Sequence, residues 1–118
     1  MRGRTESPIA FNETLASRIR QRLARRKNVE EKKKLGGVGF LLNGNLLVGV
    51  WKDSLNARLG PEQGDEALKE AHVSEFQITG RGTMKGWVVV SLEGVQNDDQ
   101  LKDWLQRAVK FVGKLPAK

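Results

Sequence analysis

The pair Asn43-Gly44 lies between two apolar runs, Val38-Gly39-Phe40-Leu41-Leu42 and Asn45-Leu46-Leu47-Val48-Gly49-Val50-Trp51. Both residues accept positive φ, as a two-residue type I′ loop requires, so the chain is constrained to an antiparallel hairpin here. Such a loop sets Leu42 opposite Asn45, Phe40 opposite Leu47, Gly39 opposite Val48 and Val38 opposite Gly49. The missing side chains at Gly39 and Gly49 then let a helix or an aromatic ring approach the sheet closely.

The strands on either side extend the hairpin into a meander. Lys52-Asp53-Ser54 marks a second turn, after which Leu55, Ala57 and Leu59 alternate with Asn56 and Arg58. Upstream, Val29 to Leu35 reads as a charged edge strand guarded against aggregation by Lys32, Lys33 and Lys34. Downstream, Phe76 to Ile78 and Trp87 to Leu92 read as strands joined by a long turn over Thr79 to Gly86.

Helical periods frame these strands. Phe11, Leu15, Ile19 and Leu23 recur every four residues and predict an amphipathic helix from Phe11 to about Arg26, stopped by Asn28. Pro61 after Gly60 opens a short helix to about Glu70. Asn97-Asp98-Asp99-Gln100 resembles a capping box, followed by a broad stripe of Leu101, Trp104, Leu105, Ala108, Val109, Val112 and Leu115. The expected fold is α+β in two layers, an antiparallel sheet of five or six strands with N-terminal, middle and C-terminal helices. With 118 residues the chain has room for one core, assigned to residues 11–118 after a flexible leader at 1–10.

Phe40 with Leu41, Leu46 with Leu47 and Val88 with Val89 make several strands apolar at both alternating sets of positions. Both sheet faces therefore want cover, and three helices are too few for two faces, so a homodimer is expected.

Composition narrows the chemistry. There is no cysteine, which removes disulfides and thiolate chemistry, and His72 is the only histidine, so a two-histidine metal site is excluded. No GxGxxG or Walker-type sequence occurs. The carboxylate pairs Glu30-Glu31, Asp65-Glu66 and Asp98-Asp99 sit beside lysines or in helix first turns. No enzyme activity, catalytic residue, cofactor or metal is therefore expected. With no apolar run long enough for a membrane span and no apolar leader, a cytoplasmic location is expected.

Charge is the remaining signal. Residues 1–35 carry 11 Lys/Arg against 4 Asp/Glu, and the remainder 10 of each, so the formal +7 arises in the first third. Arg18, Arg22 and Arg25 line one flank of the first helix, with Arg26 and Lys27 at its end. With Lys32, Lys33 and Lys34 they are the candidate contacts for nucleic acid or an acidic partner. A second candidate is the turn with Thr79, Arg81 and Lys85, whose glycine-rich backbone suits an anion. Trp51, Trp87 and Trp104 fall in apolar patterns that fit core or interface rather than a base-stacking platform.

The run from Glu31 through Lys34-Leu35-Gly36-Gly37-Val38-Gly39-Phe40 to Asn43-Gly44-Asn45, then Arg58-Leu59-Gly60-Pro61, Thr79-Gly80-Arg81 and Met84-Lys85-Gly86-Trp87-Val88, resembles the N-terminal domain of the TfoX/Sxy family. Lys34-Leu35 replaces the usual Met-Phe, and Gly82-Thr83 stands where a single proline is common. The resemblance implies a secretion-chaperone-like fold without catalytic residues. It further implies a regulatory role, since family members include competence regulators that act with a cyclic-AMP-responsive activator. Those regulators carry a second, C-terminal domain, and this chain is expected to be a short, stand-alone member. The expected function is a non-enzymatic interaction module in transcription-related regulation, homodimeric and with a regulatory protein partner. Sequence-nonspecific nucleic-acid binding by the basic first helix and adjoining strand is the alternative.

Overall fold

The computed structural model describes residues 12–34 and 36–118. The leader over 1–10, with Phe11 and Leu35, lies outside the described residues. Among the described residues three α-helices and six strands run in the order α1 (Glu13–Leu23), β1 (Val29–Lys34), β2 (Gly37–Leu42), β3 (Asn45–Trp51), β4 (Ser54–Arg58), α2 (Pro61–Ala67), β5 (Val73–Ile78), β6 (Gly82–Val90) and α3 (Asp98–Val112). A short 3-10 turn, Leu92–Val95, links β6 to α3 and takes Leu92 out of the expected last strand. The strands form one antiparallel sheet ordered β1-β2-β3-β4-β6-β5, which confirms the two-layer α+β expectation.

Local chemistry accounts for the helix limits. Asn12 caps α1 by accepting from the Leu15 amide at 2.9 Å. The helix ends three residues before the expected Arg26, because the Ala24 and Arg26 amides turn to the carbonyls of Gln21 and Leu23, tightening the chain. Asn28, at φ 64°, reverses it into β1. The capping box of α3 is present in both directions: Gln100 N–H donates to Asn97 Oδ1 at 2.8 Å and Asn97 N–H to Gln100 Oε1 at 3.0 Å. The middle helix stops at Ala67, short of Glu70.

The hairpin turns as expected, with positive φ at Asn43 and Gly44, and Leu42 pairs Asn45. Beyond that pair the expected register is corrected. A bulge leaves Leu41 opposite Leu46 but Phe40 opposite Val48, so that Gly39 faces Gly49 and Val38 faces Val50. The extra residue, Leu47, is buried together with Val48. Three branched side chains at the turn end cannot all serve the core by strict alternation; a bulge lets two neighbours point inward. At the other end of the sheet the long turn over 79–86 is also corrected. Only Thr79-Gly80-Arg81 separate β5 from β6, closed by Arg81 N–H donating to the Ile78 carbonyl at 2.9 Å.

All the large buried side chains gather on one face. Leu15, Ile19 and Leu23 of α1 and Leu101, Trp104, Leu105 and Val112 of α3 pack on Val38, Phe40, Val48, Val50, Leu55, Val88 and Val90 of the sheet. Each such side chain contributes roughly 1.5–3 kcal/mol on burial. Among the described residues no helix covers the opposite face. None of the helices among the described residues is long and apolar enough to cross a membrane.

Candidate functional site

The uncovered face carries a groove of about 430 Å³. Its floor is the backbone of Gly39 and Gly49, adjacent on β2 and β3 because of the bulge. Its walls are Trp51 and Leu46 on one side and Phe76 and Trp87 on the other, and Asn56 of β4 lies between them, opposite Gly49. Trp51 is 45% exposed, with the Lys52 ammonium 5.5 Å from its ring centre, whereas Trp104 is in the core. Of the three tryptophans, two thus stand on the open face. Alternation alone showed that β3 and β6 had apolar residues for two faces; the bulge decided which ones.

Two separated sequence stretches meet to hold the Trp87 wall. The Gly86 carbonyl accepts from the amides of Leu59 at 2.8 Å and Gly60 at 3.1 Å. A Cβ on Gly86 would stand 3.3 Å from the Gly60 carbonyl carbon, and one on Gly64 3.2 Å from Gly86 Cα. Gly60 and Gly86 both have positive φ, 88° and 89°. Arg58-Leu59-Gly60-Pro61 and Met84-Lys85-Gly86-Trp87 are therefore one backbone junction between β4, α2 and β6. Trp87 then packs edge-on against Phe76, ring centres 5.8 Å apart, and 6.0 Å from the Arg58 guanidinium.

The structure divides the expected basic patch. Arg18 donates to the Val95 carbonyl at 2.9 Å and reaches Asp98 at 3.5 Å, and Arg22 lies 3.6 Å from the other Asp98 oxygen. These two cations tie α1 to the start of α3. Arg25, Arg26 and Lys27 follow the helix end in an exposed turn, so Arg25 does not continue the helical row. On β1, Lys32 pairs Gly39 on the open side while Lys33 pairs Val38 on the helix side, and Lys34 pairs Gly37. Strand alternation therefore separates Lys32 from Lys33, so the lysines of β1 do not all share the helix side. Sequence reasoning missed Lys102, which with Arg22 and Arg26 rims a shallow cleft between α1 and α3, of about 140 Å³, floored by Leu23 and Leu105.

Arg20, outside the expected row, forks onto Glu31 of β1 with Nε and Nη2 at 2.6 and 2.7 Å. This hydrogen bonding holds the Glu31 carboxyl below its ordinary value. A depressed folded value means stability present above the unfolded value of about 4.3 and lost as pH falls through the folded one. The pair is solvent-accessible, so Glu31→Gln is expected to cost below about 1 kcal/mol at pH 7. Urea midpoints of the two proteins should converge by pH 2–3; a gap that persists there would contradict this assignment.

The expected anion turn lies at the closed end of the β5–β6 hairpin. Thr79, Arg81 and Lys85 are all exposed; Thr79 sits at the groove rim and Arg81 at the hairpin tip, while Lys85 leans toward Asp65 of α2 at 4.0 Å. Among the described residues, no three His, Asp or Glu side chains converge as metal ligands would.

The glycine-floored hairpin and the Gly60–Gly86 junction lie within the span, residues 21–112, that matches the family model described as the TfoX N-terminal domain. The chain belongs to that family. The resemblance read from the separated motifs is thereby borne out. A search of curated proteins found no match. In this TfoX N-terminal domain the matched span begins within α1 and closes with α3, so it includes the whole sheet and its open groove.

Proposed function

We propose that this TfoX N-terminal domain is a non-enzymatic, cytoplasmic interaction module in transcription-related regulation, which pairs with a second copy and docks a regulatory protein through its open sheet face. The observation that carries the reading is Trp51, 45% exposed beside the half-buried Leu46, Phe76, Ile78 and Trp87. A contiguous aromatic and aliphatic surface of this kind marks interfaces, and tryptophan is the residue most enriched among their energetic hot spots. Sedimentation equilibrium at 1–100 µM tests it, those concentrations being on the order of transient-complex affinities. Wild-type protein is expected to dimerise, and Trp51→Ala to raise the dissociation constant at least about 30-fold, the equivalent of a 2 kcal/mol hot spot. A monomer throughout the range, or an unchanged constant in the variant, would refute self-association on this face.

A second reading, nucleic-acid binding, is favoured by the convergence of Arg22, Arg26 and Lys102 on one cleft beside Arg25 and Lys27. Such binding would be electrostatic and fall steeply with salt. Fluorescence anisotropy with labelled DNA and RNA at two salt concentrations separates it from the first reading. Its signature is salt-sensitive binding lost in an Arg25→Ala, Arg26→Ala, Lys102→Ala variant and kept in Trp51→Ala.

A further inference from the structure

The described residues contain two buried polar side chains, Asn45 and Asn56, with different circumstances. Asn45 donates to the Pro116 carbonyl at 3.0 Å and so fastens the chain end to the hairpin. Asn56 is 9% exposed and lines the groove floor, and among the described residues its carboxamide has no hydrogen-bond partner. Its cross-strand neighbour on β3 is Gly49, so no side chain covers it from that side. A polar group this deep costs stability unless something pairs with it, and most in native proteins are paired.

The surroundings of Asn56 define what could pair. No residue lining the groove is charged, and the cations nearest its walls, Lys52 and Arg58, lie over the Trp51 and Trp87 rings rather than in the lining, so the lining itself suits an uncharged ligand. Gly39 and Gly49 leave the floor without side chains, half-buried at Gly49 and overhung by the end of Leu46 at Gly39, and the walls are three aromatic rings and aliphatic side chains. Small-molecule sites have this make-up, apolar with few placed polar groups, in volumes of roughly 300–1,000 Å³. The 430 Å³ here falls within that range.

We infer that the groove is a binding site for a small, uncharged, planar aromatic molecule whose edge hydrogen-bonds to the Asn56 carboxamide. The ring lies on the Gly39–Gly49 strip between Trp51 and the Phe76–Trp87 pair. An edge with adjacent donor and acceptor meets both ends of the carboxamide. This goes beyond protein docking but uses the same face, and experiment tells the two apart. Ring binding by a chain that stays monomeric would leave this inference intact, and dimerisation without ring binding would leave only the docking reading.

The test uses quinolin-2-one, which carries N–H and C=O on one edge, and its N-methyl derivative, which keeps the ring but lacks the donor. Amide and side-chain resonances of the full chain are followed by 15N NMR titration. Quinolin-2-one is expected to shift the Asn56 carboxamide and the Gly39 and Gly49 amides, and to bind about tenfold more tightly than the methylated ring, the equivalent of one net hydrogen bond. Asn56→Leu should erase that difference. Gly39→Val should abolish binding of both rings by filling the floor; the tight contact of a Cβ there is with the end of the Leu46 side chain, at 2.9 Å, and the Lys32 carbonyl is 4.0 Å away, so the fold can adjust. Absence of groove shifts at the solubility limit, equal affinities in the wild type, or discrimination that survives Asn56→Leu would overturn the inference. Should Gly39→Val not fold, the Asn56→Leu comparison still decides it.

Discussion

Gly60→Ala is expected to destabilise the domain by about 3 kcal/mol, from two effects that add. At φ 88° and ψ 161° the backbone is in an extended positive-φ region that is essentially restricted to glycine and costs an L-residue roughly 1–3 kcal/mol. The new Cβ would also stand 2.5 Å from Phe111 Cδ1 and 2.6 Å from Cε1, an overpacking that typically costs 1–3 kcal/mol. The lower entropy of the unfolded alanine chain offsets only a few tenths to 1 kcal/mol. Urea unfolding measures the total, and Phe111→Ala separates its parts. In that background Gly60→Ala should lose the clash and keep the conformational strain, so its cost falls to that of the strain alone, about 1–3 kcal/mol less the unfolded-chain offset. A cost below 1 kcal/mol in the native background would show that the junction can relax. Because Gly60 and Gly86 are in contact, the same variant should move the Trp87 ring, visible as a change in tryptophan fluorescence.

Phe40→Ala is expected to cost about 3–5 kcal/mol, the range for removing a fully buried aromatic side chain and leaving a cavity. Phe40 is 1% exposed and lies opposite the bulge, against Val48 with Leu47 beside it. Against a domain stability of about 5–15 kcal/mol this loss is a large fraction of the whole, and the thermal midpoint should fall by well over 10 °C. If Leu47 swung into the space the cost would sit at the bottom of the range, and the bulge would be lost with it. The amide shifts of Gly39 and Gly49 would then report the register change, since without the extra residue the two glycines would no longer face each other.

Much of the fold was legible because its signals are local. Asn43-Gly44 announces its own turn, the capping box from Asn97 to Gln100 its own helix start, and the lysines of β1 their own edge strand. The two-sided apolar pattern asked for cover on both faces, and the helices among the described residues lie on one. Three features were not legible, each for a physical reason. The bulge at Leu47 arises from competition among branched residues for one core, so alternation from the turn gives the wrong partners. The length of β6 depends on Gly82 and Gly86 taking positive φ within a strand, which composition reads as loop. The basic row fails as one surface because Asp98, distant in sequence, lies beside Arg18 and Arg22.

By itself, then, the sequence determined the fold class, the family, the helix caps and the hairpin turn, all of which follow from residues within a few positions of one another or from their order. Only the tertiary structure decided what the open face presents. Gly39 comes opposite Gly49 through a one-residue bulge, Trp87 is held by a junction between stretches more than twenty residues apart, and among the described residues Asn56 has no hydrogen-bond partner, its cross-strand neighbours Gly49 and Val89 offering no polar side chain. Contacts of that range depend on how the whole core packs, and no local pattern encodes them.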